Sequence, residues 1–144
     1  MDKRAVISIS GWQSESPFES PEAVEIITPG RFSREGRDYL ITYRESERTG
    51  MGETTTTLRV DDRRVVLTRV GDVTSHMIFE QGRRHLSYYE TGEGPLTVSV
   101  NASRVRASLT DEGGRVEVDY AVDIDQALAG ENRIKINVAL TKGN

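Results

Sequence analysis

Two histidines and no cysteine limit the chemistry that this 144-residue chain can perform. Without a thiol, the chain cannot form Fe–S clusters, thiolate metal sites, cysteine nucleophiles or redox pairs. His76 and His85 are too few for a histidine-rich metal centre. An acid–base pair of His85 with Glu45 or Tyr89 is one conceivable enzyme site, because imidazole titrates near neutral pH. No nucleophile motif accompanies that pair, so the sequence favours a binding protein over an enzyme, with no metal and no cofactor.

A second set of residues suits binding rather than catalysis. A few polar groups on an apolar wall orient a small ligand. An arginine among them favours a carboxylate or a phosphate, because the planar guanidinium matches these groups in two-point contacts. We expect the following side chains to converge near one end of a barrel and to bind a small, anionic molecule: Tyr43, Glu45, Thr56, Arg69, His85, Tyr89 and Thr91.

The same residues also allow a purely structural interpretation. Buried polar groups are usually paired inside the protein, so Glu45 and Arg69 would form an internal ion pair and a tyrosine hydroxyl would bond to the backbone. The chain would then act through its outer surface as an interaction or structural module, for example as a homodimer. The acidic stretch 111–131 has Arg115 as its one cation and would suit a basic partner.

Alternation of apolar and polar residues predicts the strands that position these groups. Every even residue of 116–124 is apolar, and the same alternation recurs over 134–141. A period of two is typical of a strand with one face in a core and one in water. Residues 96–100 repeat the pattern before the apolar parity flips to Val105. We therefore expect a bulge or a break near Ser103.

Turn signals divide the chain at intervals of about 8–12 residues, the spacing of consecutive hairpins in a sandwich or a barrel. Helix signals are confined to 125–130, where a capping Asp, three helix formers and a Gly predict one or two helical turns. We expect about ten strands, near residues 4–12, 23–34, 37–47, 53–60, 64–70, 73–80, 85–91, 95–102, 104–110 with 115–124, and 132–141.

A meander of this many short strands has exposed edges unless it closes. We therefore predict an all-β fold, an antiparallel meander closed into an eight- to ten-stranded barrel, in one domain spanning residues 1–144 with at most one short helix. A two-sheet sandwich is the alternative. The alternation of apolar and polar residues places His76 on the outer face. It does not decide whether Arg69 and His85 face inward or outward, because both faces of their strands are partly apolar.

Charge and hydropathy bear on partners and location. The net charge of -4 argues against a nucleic-acid partner, because phosphate affinity needs a basic surface. Uninterrupted apolar runs are far shorter than the ~20 residues that span a bilayer, and the N-terminus lacks the apolar stretch of a signal peptide. The sequence predicts a cytoplasmic protein with no membrane partner.

Four ordered blocks, which together cover roughly residues 4–140, carry a resemblance to a known family. In this order they are similar to the YwiB-like family of uncharacterised bacterial proteins. The third block is the most specific of the four. The blocks are Tyr43-Arg44-Glu45 with Thr49-Gly50-Met51-Gly52 and 54–60; Val65 to Gly71; Met77-Ile78-Phe79-Glu80-Gln81-Gly82 with His85, Tyr89-Glu90-Thr91 and Gly94; and Gly113-Gly114 with Val118-Asp119-Tyr120.

The resemblance implies a calycin-type β-barrel, the architecture of lipocalins and fatty-acid-binding proteins, and it implies no function because the family is itself uncharacterised. Two departures separate the chain from those ligand carriers. Lipocalins have Gly-x-Trp near the start of the first strand, whereas Gly11-Trp12 is adjacent and lies at a strand end. Residues 14–21 contain too many serines and prolines for the helix pair of fatty-acid-binding proteins. Neither classical ligand is carried over.

Overall fold

The computed structural model describes residues 2–14, 22–45, 53–72, 74–91, 94–124 and 127–141. Each strand pairs antiparallel with its sequence neighbour, and β1 also pairs with β10, so one sheet closes into a barrel. The predicted closed meander is confirmed, and the sandwich alternative is wrong. The strands are β1 (Asp2–Ser14), β2 (Glu22–Glu35), β3 (Asp38–Arg44), β4 (Thr54–Val60), β5 (Arg64–Gly71), β6 (Thr74–Glu80), β7 (Arg84–Thr91), β8 (Gly94–Thr110), β9 (Gly113–Ile124) and β10 (Ala127–Leu140).

The predicted strand parity marks the inside of the barrel. The inward set of β4, from Thr54 through Thr56 and Leu58 to Val60, is at most 3% exposed. In β5, Leu67 is buried and Val70 is 64% exposed, which puts Arg69 on the inner face. In β7, Ser87 is buried and Leu86 is 74% exposed, so His85 shares the inner face. His76 is exposed, as predicted.

A bulge bends the longest strand where the parity changes. The register of β8 against β9 shifts between Ala102 and Arg104, which confirms the irregularity predicted near Ser103. The strand continues through the bulge, so 94–110 is one strand and 113–124 is a separate one. An extra residue in one strand reverses which residues face inward. Val105 therefore packs against the core beyond the bulge.

The predicted helix at 125–130 is wrong where the structure describes that segment. Residues 127–130 begin β10, and Ala127 faces Ile124 of β9. One helical turn gains few hydrogen bonds for the residues that it orders, whereas a strand here extends an existing ladder. Three further segments lie outside the described residues: 125–126, residues 15–21 and Gly50-Met51-Gly52. Within the described residues, no helix is long and apolar enough to cross a bilayer.

Turns alternate between the two ends of the barrel. We name these the Asp111 end, which carries the β8–β9 turn, and the Glu45 end, which carries the end of β3. At the Asp111 end, Tyr39 Oη and Arg34 Nη1 donate to the Asp111 carboxylate at 3.1 and 2.9 Å. Gly114 follows the turn with a φ of 141°, and a Cβ there would collide with the Ser108 carbonyl oxygen.

Apolar side chains fill the middle of the barrel between these ends. Phe32 stacks on Tyr39 with ring centroids 5.3 Å apart, and Phe79 lies 4.6 Å from Tyr120. Both phenylalanines are at most 1% exposed. Packing of this kind excludes water from the centre, so the room for polar chemistry inside the barrel lies towards its ends.

Candidate functional site

A row of facing residues crosses four neighbouring strands near the Glu45 end. Tyr43 in β3 faces Thr56 in β4, Thr56 faces Arg69 in β5, and Arg69 faces Ser75 in β6. Directly opposed residues hold their Cβ atoms about 4.5–5.5 Å apart, so adjacent side chains are within reach of one another. We call Tyr43, Thr56, Arg69 and Ser75 the polar row. Tyr43, Thr56 and Ser75 are buried, and Arg69 shares their inner face.

Glu45 lies beside the polar row, because it follows Tyr43 by two residues and therefore shares its face. Thr56 Oγ1 donates a hydrogen bond of 2.6 Å to Glu45 Oε1. Arg69 Nε lies 3.9 Å from the same oxygen, and the two charged side chains are only 12% and 4% exposed. The ion pair that the structural interpretation predicts is therefore present. Removing both charges from water is costly, and their attraction offsets that cost only in part.

The environment of Tyr43 fixes its protonation state. Burial raises the pKa of the Tyr43 hydroxyl far above its ordinary value, and repulsion from the Glu45 carboxylate raises this pKa further. The positive charge of Arg69 lowers it by less. Tyr43 is therefore a neutral hydroxyl near pH 7, able to donate and accept hydrogen bonds. A neutral tyrosine can orient a ligand, but it cannot act as a base.

Three buried polar atoms near the row have no hydrogen-bond partner among the described residues. They are Arg69 Nε, Ser75 Oγ and Ser87 Oγ, and the two serines are only 1% and 3% exposed. A buried polar group without a partner costs about 1–3 kcal/mol, and such groups are rare in native proteins. The three atoms belong to the neighbouring strands β5, β6 and β7, and a bound water or ligand would satisfy them.

The position of Ser87 follows from the same pairing. Ser75 faces Tyr89 in β7, and Ser87 precedes Tyr89 by two residues on the same face. It is thus a diagonal neighbour of Ser75, about 7–8 Å away between backbones. Neither Ser75 nor Ser87 is among the site residues predicted from the sequence. Their alternation with buried neighbours was the available signal, because it marks both as inward.

The predicted convergence does not extend to His85. Its Nε2 lies 3.0 Å from Glu80 Oε1 across the β6–β7 hairpin, at the Asp111 end. Four residues separate His85 from Tyr89, about 13 Å along a strand that rises ~3.3 Å per residue. The correction has a simple cause: parity reports which face a residue occupies and says nothing about its height along the barrel. The hydrogen-bond partner of His85 is Glu80, not the Glu45 that an acid–base pair would need.

The two remaining predicted residues can be placed only by their backbone. Tyr89 lies opposite Ser75 and Leu96, and Thr91 lies opposite Gly94 at the end of β7. Both positions belong to the Glu45 end. Their side chains are outside the described part of the chain. The structure thus brings together Tyr43, Glu45, Thr56 and Arg69, and it puts the backbone of Tyr89 next to them.

The middle of the barrel limits the depth of this site. Leu58 follows Thr56 by two residues, and Leu67 precedes Arg69 by two, so both leucines lie on the inner face. Each is 2% exposed. They close the barrel towards the Asp111 end. The polar row therefore lies on the Glu45 side of these two leucines.

Comparisons with known proteins agree with this architecture. Residues 7–136 match the family described as "Domain of unknown function (DUF1934)". The uncharacterized beta-barrel protein YwiB of Bacillus subtilis (strain 168) is 24% identical over 104 residues, which cover 72% of this chain and 71% of YwiB.

A solved structure supports the fold independently. The crystal structure of the ywiB protein from Bacillus subtilis superposes with a TM-score of 0.80 over 98% of this chain and 94% of that one, at 16% sequence identity. The resemblance drawn from the four sequence blocks is confirmed. Because the family match spans nearly the whole barrel, the chain belongs to the DUF1934 family of YwiB-like β-barrel proteins.

Proposed function

We propose that this protein is a non-enzymatic binding protein that holds a small molecule with an anionic group at the Glu45 end of its barrel. The observation that supports it is the trio of buried, unpartnered atoms at Arg69 Nε, Ser75 Oγ and Ser87 Oγ. All three can donate a hydrogen bond, and a carboxylate or phosphate accepts several at once. The proposed setting is the cytoplasm, as the sequence predicts.

The geometry of the ion pair leaves a donor for the ligand. At 3.9 Å, Arg69 Nε is too far from Glu45 Oε1 for a hydrogen bond, so its N–H remains available. Glu45 is engaged by Thr56, which holds the carboxylate beside the arginine. The Tyr43 hydroxyl is also hydrogen-bonded to Glu45 and Thr56, so a ligand that carries a hydroxyl or an amine would suit the lone pairs of Glu45 that the Tyr43 and Thr56 hydroxyls leave open.

The structural interpretation explains only half of the cluster. It accounts for Glu45 and Thr56, whose polar atoms satisfy each other. It does not account for Ser75 or Ser87, because alanine would fill nearly the same space without burying a hydroxyl. Retaining two such hydroxyls beside an underpartnered guanidinium is the pattern of a site that receives a ligand.

The proposal is tested by titrating the protein with acetate and inorganic phosphate and following the Arg69 Nε–H signal by nitrogen-edited NMR. Wild-type protein is expected to show a saturable shift of that signal. The double variant S75A/S87A keeps the Glu45–Arg69 pair and loses two donors. We expect it to bind at least about tenfold more weakly, since hydrogen bonds to charged groups contribute ~1.5–3 kcal/mol.

The matched control is Ser8→Ala, which removes a hydroxyl from the outer face of β1 beside the buried Ile7. It should bind both anions as wild type does. The proposal fails if neither anion shifts the Arg69 signal, or if S75A/S87A and wild type respond alike. Native mass spectrometry of the protein purified from its own cytoplasm would identify a retained molecule.

A further inference from the structure

A cleft of about 630 Å³ opens at the Asp111 end, away from the polar row. One wall is the β4–β5 turn with Val60, Asp61, Asp62 and Arg63, together with Arg37 and Tyr39. The other wall includes residues 105–109, five consecutive residues of β8. Side chains of a strand alternate between two faces. Lining by consecutive residues therefore means that the edge of β8, rather than one of its faces, borders the cleft. We call it the edge cleft.

The edge of β8 is open along this stretch. Strand β7 pairs with β8 only as far as Asn101, whereas β9 pairs with it down to Thr110. The Val105 N–H donates a hydrogen bond of 3.0 Å to the Gln81 side-chain oxygen. The backbone N–H and C=O groups of Val105 therefore point away from β9. Successive residues of an antiparallel strand alternate in this respect. The backbone groups of Ala107 and Leu109 therefore also point to the open side, and no described strand pairs with them.

Charge at the edge cleft favours one kind of occupant. Arg37, Arg63 and Arg106 line it, and none of the three guanidinium groups has an ion-pair partner among the described residues. Two of the lining acids are already engaged. Asp61 accepts backbone N–H groups of its own turn at 2.6–2.7 Å, and Glu117 pairs with Arg115 at 3.5 Å. Val60, Val105 and Leu109 add apolar side chains to the lining, so the cleft suits a chain that alternates acidic and apolar residues.

We propose that the edge cleft receives an extended acidic segment of a partner protein, which adds as a strand to residues 105–109 of β8. Strand addition takes its affinity from backbone hydrogen bonds and its specificity from alternate side chains. Ala107 and Leu109 offer the backbone groups, whereas the Val105 N–H already donates to Gln81, and the three unpaired arginines select carboxylates. In a pair of two copies of this chain, the same β8 edge would meet itself. The Arg106 side chains of the two copies would then come close together, and their repulsion disfavours self-pairing.

The test uses a fluorescein-labelled peptide, acetyl-EVEVEVE-amide, with the full-length protein and fluorescence anisotropy as the readout. We expect saturable binding to wild type. Ala107→Pro removes one N–H on the open side of β8. No bond to β9 is lost, because this N–H points away from β9, and proline is tolerated at a sheet edge. It should weaken binding at least about tenfold, whereas Ala107→Val, which keeps the N–H, should stay within about twofold.

Charge is tested separately with two double variants of equal net charge. R37S/R63S removes two arginines of the edge cleft, and R4S/R31S removes two exposed, facing arginines of β1 and β2 that do not line it. Only the first should weaken peptide binding and flatten its salt dependence. S75A/S87A should bind the peptide as wild type does, which separates this inference from the function proposed for the Glu45 end.

Four results would overturn the inference. The first is the absence of saturable binding, which would indicate that the arginines serve to prevent other strands from pairing with this edge. The second is equal affinity for a peptide N-methylated at alternate residues, which would show charge attraction without strand addition. The third is equal affinity for acetyl-KVKVKVK-amide. The fourth is a dimer in sedimentation that A107P dissociates, which would assign the edge to a second copy.

Discussion

The two ends of the barrel use the pairing of arginine and carboxylate in opposite ways. At the Glu45 end, Arg69 and Glu45 are 12% and 4% exposed and 3.9 Å apart. At the Asp111 end, Arg34 and Asp111 are 46% and 45% exposed and only 2.9 Å apart. The pair that is close enough for a hydrogen bond is about half exposed, and the pair that is too far apart for one is buried. Since burial makes a poor partner expensive, the Glu45 end costs stability that the Asp111 end does not.

That difference separates the roles of the two ends. A buried, underpartnered cluster costs stability, which is why the binding function is proposed for the Glu45 end. Exposed pairs such as Arg34–Asp111 contribute little individually, yet Asp111 also receives the Tyr39 hydroxyl and so anchors the β8–β9 turn. We therefore expect mutations at the Glu45 end to affect global stability and ligand binding, and mutations at the Asp111 end to affect local order.

Glu45→Ala should have the largest effect. It leaves the Arg69 guanidinium buried without a counter-charge, and breaking a buried pair in this way costs about 3 kcal/mol. Urea unfolding should show the loss as a lower midpoint with an unchanged slope. The double variant E45A/R69M should recover most of it, because an apolar side chain of similar length needs no partner.

The control for that loss is Asp2→Ala, which breaks an exposed pair with Arg31 whose side chains are 58% and 57% exposed. It should cost no more than ~0.5 kcal/mol. An E45A protein as stable as D2A would remove the contrast between the ends, because it would mean that Arg69 reaches water once its partner is gone.

Alkaline pH should reveal the buried hydroxyl of Tyr43. Its pKa is raised in the folded protein, chiefly by burial and then by Glu45, whereas a tyrosine in the unfolded chain ionises near pH ~10. Above that pH the unfolded state holds fewer protons than the folded state, so stability falls as pH rises. The slope is about 1.4 kcal/mol per pH unit.

The measurement is the free energy of unfolding of wild type and Tyr43→Phe between pH 9 and 12. Lysines titrate in the same range, and the difference between the two proteins cancels them. The wild type should lose stability more steeply than the variant. Parallel curves would mean that Tyr43 ionises inside the folded barrel, and the site would then hold a phenolate instead of a neutral donor.

Ser75→Ala should change stability in the opposite direction. Ser75 is 1% exposed and its Oγ has no hydrogen-bond partner among the described residues. Removing the hydroxyl removes its desolvation penalty, and we expect a gain of about 1 kcal/mol in urea unfolding. A gain in stability with a loss of acetate or phosphate binding would be the trade-off that marks a functional site. A loss of stability would instead assign the hydroxyl a structural bond.

Strand parity made much of this architecture predictable. The alternation in residues 116–124 and 134–141 predicted which residues of β9 and β10 face inward, because one face of a barrel strand packs in the core. The flip before Val105 located the bulge at Ala102 and Arg104 for the same reason. The Glu45–Arg69 pair was one of two interpretations of the sequence, and the structure decided it by placing Arg69 on the inner face.

Features that depend on position along the barrel axis were not predictable. His85 has inward parity but lies beside Glu80 at the other end, because height is set by register and no local signal carries register. The Ala127 segment favours a helix by composition and forms a strand because β9 offers a ladder. The open edge of β8 exists because β7 stops pairing at Asn101, a relation between distant residues.

Asp111→Ala should have a small effect and the most local one. The variant loses the hydrogen bonds from Tyr39 and Arg34 but keeps the one from Lys3 Nζ, which goes to the backbone oxygen of residue 111. Because the carboxylate is half exposed, we expect a global cost of about 1 kcal/mol or less. Amide hydrogen exchange should accelerate in the β8–β9 turn and along 105–109, while the polar row keeps its protection. Exchange that accelerates equally at both ends would show that the barrel unfolds as one unit, and the two ends would then differ in chemistry alone.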